Sequence, residues 1–166
     1  MIQVLILMGS DSDAAVMGAA GDVLIELGVS WDMTVASAHR SPERVVRLVR
    51  EAPARGVRIF IVGAGAAAHL AGVVAAHTTL PVIGVPIDSS ALKGLDALLS
   101  TVQMPPGVPV ATVAIGKPGA INAGVLAAQM LALGDAGLEQ RLKAYKAGLA
   151  EKVEAAARRL EERPPT

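Results

Sequence analysis

Residues 59 to 87, IFIVGAGAAAHLAGVVAAHTTLPVIGVPI, contain no Asp, Glu, Lys or Arg. An uncharged stretch of that length either spans a bilayer or is buried inside a globular domain. Four glycines, Pro81, Pro86 and two histidines cut it into a β-rich run, a small-residue helix and a second β-rich run. That punctuation belongs to a strand-helix-strand unit buried on both faces, and it argues against a membrane span.

The same division recurs along the chain. IQVLILM, residues 2 to 8, reads as a buried strand, and SDAAVMGAAGDVLIELG puts Val16, Ala20, Val23, Leu24 and Leu27 on one helical face, stopping at Gly28. SWDMTVAS, 30 to 37, is a second strand; Ser41 as N-cap, Pro42 at the first helical position and Glu43 in the first turn then open a helix ending near Gly56. VRIFIV (57 to 62), PVIGVP (81 to 86) and VPVATVAI (108 to 115) complete a set of five strands alternating with helices. Such alternation implies a parallel sheet covered on both sides through right-handed crossovers, a flavodoxin-like three-layer αβα sandwich or its Rossmann-like relative.

At 166 residues the chain holds one such core and not two. Hydrophobic residues make up 52% of it but aromatics only 2%, so that core must be Ala, Val, Leu and Ile packed closely around glycines. Lys plus Arg balances Asp plus Glu at 15 each, and one Trp, one Tyr and one Phe offer no stacking platform, which argues against nucleic acid as partner. No cysteine is present, excluding disulfides, thiolate catalysis and cysteine-held metals. MIQVLILMGSDSD lacks the basic start of a signal peptide, so a cytoplasmic location is expected.

After LGDAG, Leu138, Leu142, Tyr145, Leu149, Val153, Ala156 and Leu160 recur at spacings of three and four, with Glu139 to Lys143 and Glu154 to Arg158 as supporting pairs. We therefore divide the chain into a flavodoxin-like domain, 1–134, and a C-terminal amphipathic helix, 135–166, expected to pack on the domain and partly on a neighbouring subunit. A helix lying wholly on its own domain is the alternative. ERPPT reads as a frayed end.

In an open parallel sheet the ligand lies beyond the carboxyl ends of the strands where their order reverses. For the order 2-1-3-4-5, the loops that meet there are GSDSD (9 to 13), SAHR (37 to 40) and GAGAAAH (63 to 69). Ser10 and Ser12 set hydroxyls beside free amides at a helix start, an arrangement suited to phosphate. Helix capping by Ser12 or Asp11 would account for the same residues without a ligand. Asp13 would repel phosphate, so it should face elsewhere, towards ribose hydroxyls. Arg40 supplies a planar fork for phosphate oxygens, and His39 a group able to exchange protons near neutral pH, unless it is only a surface or capping residue. His69, in the first turn of the small-residue helix, can reach the crevice; His77, eight residues on, reads as structural and too distant to share a metal ion. GAGAAA with Asp88 fits a dinucleotide fingerprint loosely, although that motif ordinarily opens the first strand-helix unit.

MGSDSD, SAHRSPERV, GAGAAAHLAGVVAAHTTLPVIGVP, SSALKGLDALLSTVQMPPGVPVATVAIG and NAGVLAAQML, in this order from residue 4 to about 133, resemble the N5-carboxyaminoimidazole ribonucleotide mutase family of purine biosynthesis, the catalytic-subunit type of phosphoribosylaminoimidazole carboxylase. The resemblance implies an isomerase that moves a carboxylate from the exocyclic nitrogen to C4 of an aminoimidazole ribonucleotide without ATP, metal or other cofactor. It also implies a flavodoxin-like subunit in a homo-octamer. By it His39 is the catalytic histidine, and Ser10, Asp13 and Arg40 contact phosphate and ribose. Ser12, Ser37 and His69 lie in matching motifs and are substrate-binding candidates. Ala66 departs from the family's usual glycine, Ala71 from proline and Ser41 from threonine. A carboxylase acting directly on aminoimidazole ribonucleotide and carbon dioxide shares these motifs. A non-catalytic nucleotide-binding module would explain the loops but not His39, and a dinucleotide oxidoreductase would rest on GAGAAA and Asp88 alone.

Overall fold

The computed structural model describes residues 1–162; the expected frayed end lies mostly outside the described residues. Five strands, β1 (Val4–Met8), β2 (Trp31–Val35), β3 (Ile59–Gly65), β4 (Val82–Ile87) and β5 (Ala111–Thr112), form one sheet in the order β2-β1-β3-β4-β5. Every pairing is parallel, with Val4 beside both Trp31 and Ile59. Six helices follow: α1 (Ala14–Glu26), α2 (Pro42–Glu51), α3 (Leu70–Ala76), α4 (Leu95–Val102), α5 (Lys117–Ala132) and α6 (Ala136–Glu161). This is the flavodoxin-like sandwich, and the order reverses between β1 and β3, as the strand pattern requires.

Side-chain alternation divides the core in two. Val4, Ile6 and Met8 of β1, with Ile59, Ile61, Ile83 and Val85, face the layer of α1 and α5; Leu5, Leu7, Phe60, Val62 and Val82 face the layer of α2 and α3. Small residues let α1 and α5 approach closely: a Cβ on Gly124 would stand 2.9 Å from the Ala20 carbonyl oxygen. On α1, Ala20, Val23, Leu24 and Leu27 are buried as their spacing requires, whereas Val16 is half-buried.

Strand β5 is shorter than VPVATVAI suggests. It lies at the sheet edge and pairs only through Ile83 with Ala111 and Gly84 with Thr112. Pro109 has no N–H to give a ladder, which removes the preceding residues from it. In contrast β3 runs on to Gly65, absorbing the first half of the glycine loop.

The terminal helix α6 has two halves. Leu138 is buried, and Leu142 and Tyr145 pack against the core containing α5. Farther on, Leu149, Val153 and Leu160 are 46%, 67% and 65% exposed. Asp135 caps the helix by accepting from the Leu138 N–H at 2.9 Å. Of the two supporting pairs, Lys143 and Glu139 meet at 2.6 Å, while Glu154 and Arg158 form no ion pair among the described residues. No helix of the described residues is long and apolar enough to cross a membrane.

Candidate active site

At the carboxyl ends of the strands the loops enclose a cleft of ≈ 370 Å³ lined by Gly9, Ser10, Ser12, Asp13, Ser37, His39, Arg40, Gly65, His69 and Ser89, among others. All seven candidate residues read from the sequence face this one space. They come from separate loops, brought together because β1 sits between β2 and β3.

The loop after β1 turns at Gly9 into a short 3-10 segment, Asp11–Asp13, before α1. Its cap is Ser10, and not Ser12 or Asp11: Ser10 Oγ accepts from the Ser12 N–H at 3.3 Å and from the Ser12 hydroxyl at 2.9 Å. An anion entering here would exchange these local bonds for its own. Asp13, 7% exposed, turns into the wall of the cleft. Burial holds its carboxyl above the ordinary carboxylate range, against the lowering effect of hydrogen bonds from Ser12 and the Ser10 backbone, and Asp11 nearby adds to the rise.

The loop after β2 is braced by its own serines. Ser41 does not cap α2 with its side chain; its hydroxyl instead accepts from the Ser37 N–H at 3.1 Å and reaches back to the Ser37 carbonyl at 3.2 Å. That closed turn orients Arg40, whose Nη2 donates to the Gly9 carbonyl at 2.9 Å and whose backbone N–H donates to Ser37 Oγ at 3.2 Å. The guanidinium is thus tied to the β1 loop, and its Nε donates to Ser37 Oγ at 3.4 Å.

His39 and His69 meet directly. The Nε2 of His39 lies 2.8 Å from Nδ1 of His69, the rings edge to face at 83°. His69 is the N-cap of α3 and not in its first turn, and it has no side-chain capping bond of its own. Both rings are exposed to the cleft. His77, at the other end of α3, does not line it. Among the described residues no cluster of three or more His, Cys, Asp or Glu could hold a metal ion. Gly63 and Gly65 lie within β3, so the tight turn of a dinucleotide fingerprint is missing here.

The sequence reading missed Gly65 as a packing position and Ser89 altogether. The signal was available: β4 adjoins β3 in the order 2-1-3-4-5, so the residues after β4 belong to the same rim.

An open parallel sheet with two histidines, an arginine and several serines gathered at its switch point defines an α/β protein of flavodoxin-like fold with a candidate ligand cleft there. The AIR carboxylase family model matches residues 3–152. Proteins named N5-carboxyaminoimidazole ribonucleotide mutase are similar throughout. That of Pyrococcus horikoshii is 52% identical over 157 residues, covering 95% of this chain and 88% of its own. That of Bacillus subtilis is 56% identical over 137 residues, covering 82% and 85%. The crystal structure of Treponema denticola PurE shares the fold with a TM-score of 0.86 at 30% identity, covering 98% of this chain and 100% of its own. The chain belongs to the AIR carboxylase family and is an enzyme of the mutase class.

Proposed function

We propose that the protein converts N5-carboxyaminoimidazole ribonucleotide to 4-carboxy-5-aminoimidazole ribonucleotide in purine biosynthesis. The observation that carries this reading is the convergence of His39, His69, Ser10, Asp13 and Arg40 on one cleft, in a chain about half identical to mutases of that name. Phosphate lies against Ser10, Ser12 and Arg40, where amides, hydroxyls and a guanidinium supply charge-assisted donors. Asp13 accepts from the ribose hydroxyls, with Ser37 bracing Arg40 beneath.

The chemistry needs little beyond confinement and one proton carrier. The carbamate N–C bond breaks, its electron pair returns to the nitrogen, and His39 protonates that nitrogen as carbon dioxide forms. The electron-rich C4 then attacks the same carbon dioxide, and the hydrogen displaced from C4 returns to His39. Atoms and protons balance, so no cofactor is consumed. Holding the carbon dioxide beside C4 supplies much of the rate, because a confined reactant acts at a high effective concentration. Proton exchange through a positioned histidine contributes on the order of 10²–10⁴-fold.

The exposed half of α6 supports assembly into a homo-oligomer, an octamer by the family resemblance, in the cytoplasm. The test of function is an ultraviolet assay of the purified protein with the carboxylated ribonucleotide, and separately with aminoimidazole ribonucleotide plus bicarbonate. Turnover of the first without bicarbonate is expected. Turnover only of the second identifies a direct carboxylase, and turnover of neither refutes both.

A further inference from the structure

The loop after β4 contributes two adjacent serines with opposite surroundings. Ser90 is committed to the loop: its hydroxyl donates to Asp96 Oδ2 at 2.7 Å and accepts from the Leu92 N–H at 3.1 Å. Ser89 is exposed, lines the cleft, and its side chain enters none of the hydrogen bonds of the described residues.

Gly65 makes room for that hydroxyl. A Cβ on Gly65 would overlap Ser89 Oγ and stand 2.8 Å from Ser89 Cβ and 3.2 Å from the Ile87 carbonyl oxygen. Gly65 is not among the residues of positive φ, so space and not backbone freedom is what its missing side chain provides. It pairs with Ile87 as the last rung between β3 and β4, which places Ser89 just past the end of the ladder.

The strand order arranges the cleft along the sheet edge. Arg40 stands over β2, Ser10 to Asp13 over β1, Gly65 and His69 over β3 and Ser89 over β4. Three strand intervals come to about 14 Å, room for a ribose phosphate and a five-membered ring laid across the strand tips. With phosphate at the Arg40 end, the carboxylated heterocycle lies beside His69 and Ser89. We infer that Ser89 is a substrate-binding residue whose hydroxyl donates to the substrate carboxylate, and that Gly65 is the seat that admits it. This rests on the mutase reading above.

The test is Ser89→Ala in the full-length protein, measured against wild type with two nucleotides. The KM for the carboxylated ribonucleotide should rise about ten- to hundredfold, the loss typical of one hydrogen bond to a charged group. The inhibition constant of aminoimidazole ribonucleotide, which has no carboxylate, should stay within about twofold of wild type. Equal weakening for both nucleotides, a KM unchanged, or a fall confined to kcat overturns the assignment. If the wild-type protein does not turn over the carboxylated nucleotide at all, the mutase reading itself is what fails.

Discussion

His39 Nε2 and His69 Nδ1 are 2.8 Å apart, joining the loops after β2 and β3 across the mouth of the cleft. A contact of that length between two imidazole nitrogens requires one to donate and the other to accept, so the two neutral rings share one tautomer, both protonated at Nε2 or both at Nδ1. The contact holds the two rings edge to face at 83°. Substituting His39 with Gln preserves a donor near the Nε2 position but cannot shuttle a proton, and kcat should fall by roughly 10²–10⁴-fold. His69→Ala should cost less, and His69→Asn, which keeps an atom near Nδ1, less again. In the His39→Gln background either His69 change should add almost nothing, since residues acting as a unit are not additive. Independent, multiplying losses in steady-state kinetics would show that the pair does not work as one.

Asp13 sets stability against binding. Burial raises its carboxyl above the ordinary range, so the folded protein holds that proton more tightly than the unfolded chain does. The group therefore favours folding below the ordinary value of about 3.9 and opposes it as pH climbs through the raised folded value. Asp13→Asn, which retains the shape without the charge, should raise Tm near neutral pH. That gain should shrink as the pH falls through the raised folded value and be gone below the ordinary carboxylate value, where the wild-type carboxyl is protonated in both folded and unfolded chains. Nucleotide affinity should drop in the same variant. Thermal melts across the pH range decide the first part, since a pH-independent gain would contradict the burial account.

The fold was legible because punctuation survives where charge does not. The uncharged run from 59 to 87 could only be buried, and its glycines and prolines divided it in the right places. What escaped depended on three-dimensional neighbours. Ser41 has the residue type and position of a cap, but the Ser37 amide outcompetes the helix for its hydroxyl. Pro109 cuts β5 short, and the fold tolerates it because that strand is an edge with a single partner. The candidate residues of the first three loops could be placed on one rim from strand order alone, yet the His39 to His69 contact required the loop conformations. Ser89 was hidden by a narrower cause: nothing in IDSSAL distinguishes the serine that faces the cleft from the one that braces the loop.

Ala66 holds a left-handed conformation, φ 51°, where the family resemblance leads one to expect glycine. An L-residue pays about 1–2 kcal/mol there, because Cβ crowds the following carbonyl. The backbone turn is kept despite the substitution, and the neighbouring amides of Ala68 and His69 close short turns onto Ala66 and Ala67. Ala66→Gly should relieve that strain, less the added freedom of the unfolded chain, for a net gain of up to about 1 kcal/mol. In a protein of this size the gain appears as roughly 2–4 °C in Tm. A lower Tm would mean that the surrounding structure already compensates for the alanine.

The outer half of α6 makes a claim on the assembly. Leu149, Val153 and Leu160 are exposed large apolar residues that lie along one face of a helix whose inner half is already seated on the core. Burial of each Leu or Val is worth about 1.5–3 kcal/mol. Leu149 and Val153 are 46% and 67% exposed, so covering what remains of both would contribute about 2–3 kcal/mol per helix, tenfold or more in dissociation constant. Leu149→Glu with Val153→Glu should leave the helical content intact by circular dichroism, because neither side chain supports the fold of its own subunit. The same pair should lower the mass measured by light scattering after gel filtration. An unchanged mass would overturn the proposed role of α6 in assembly.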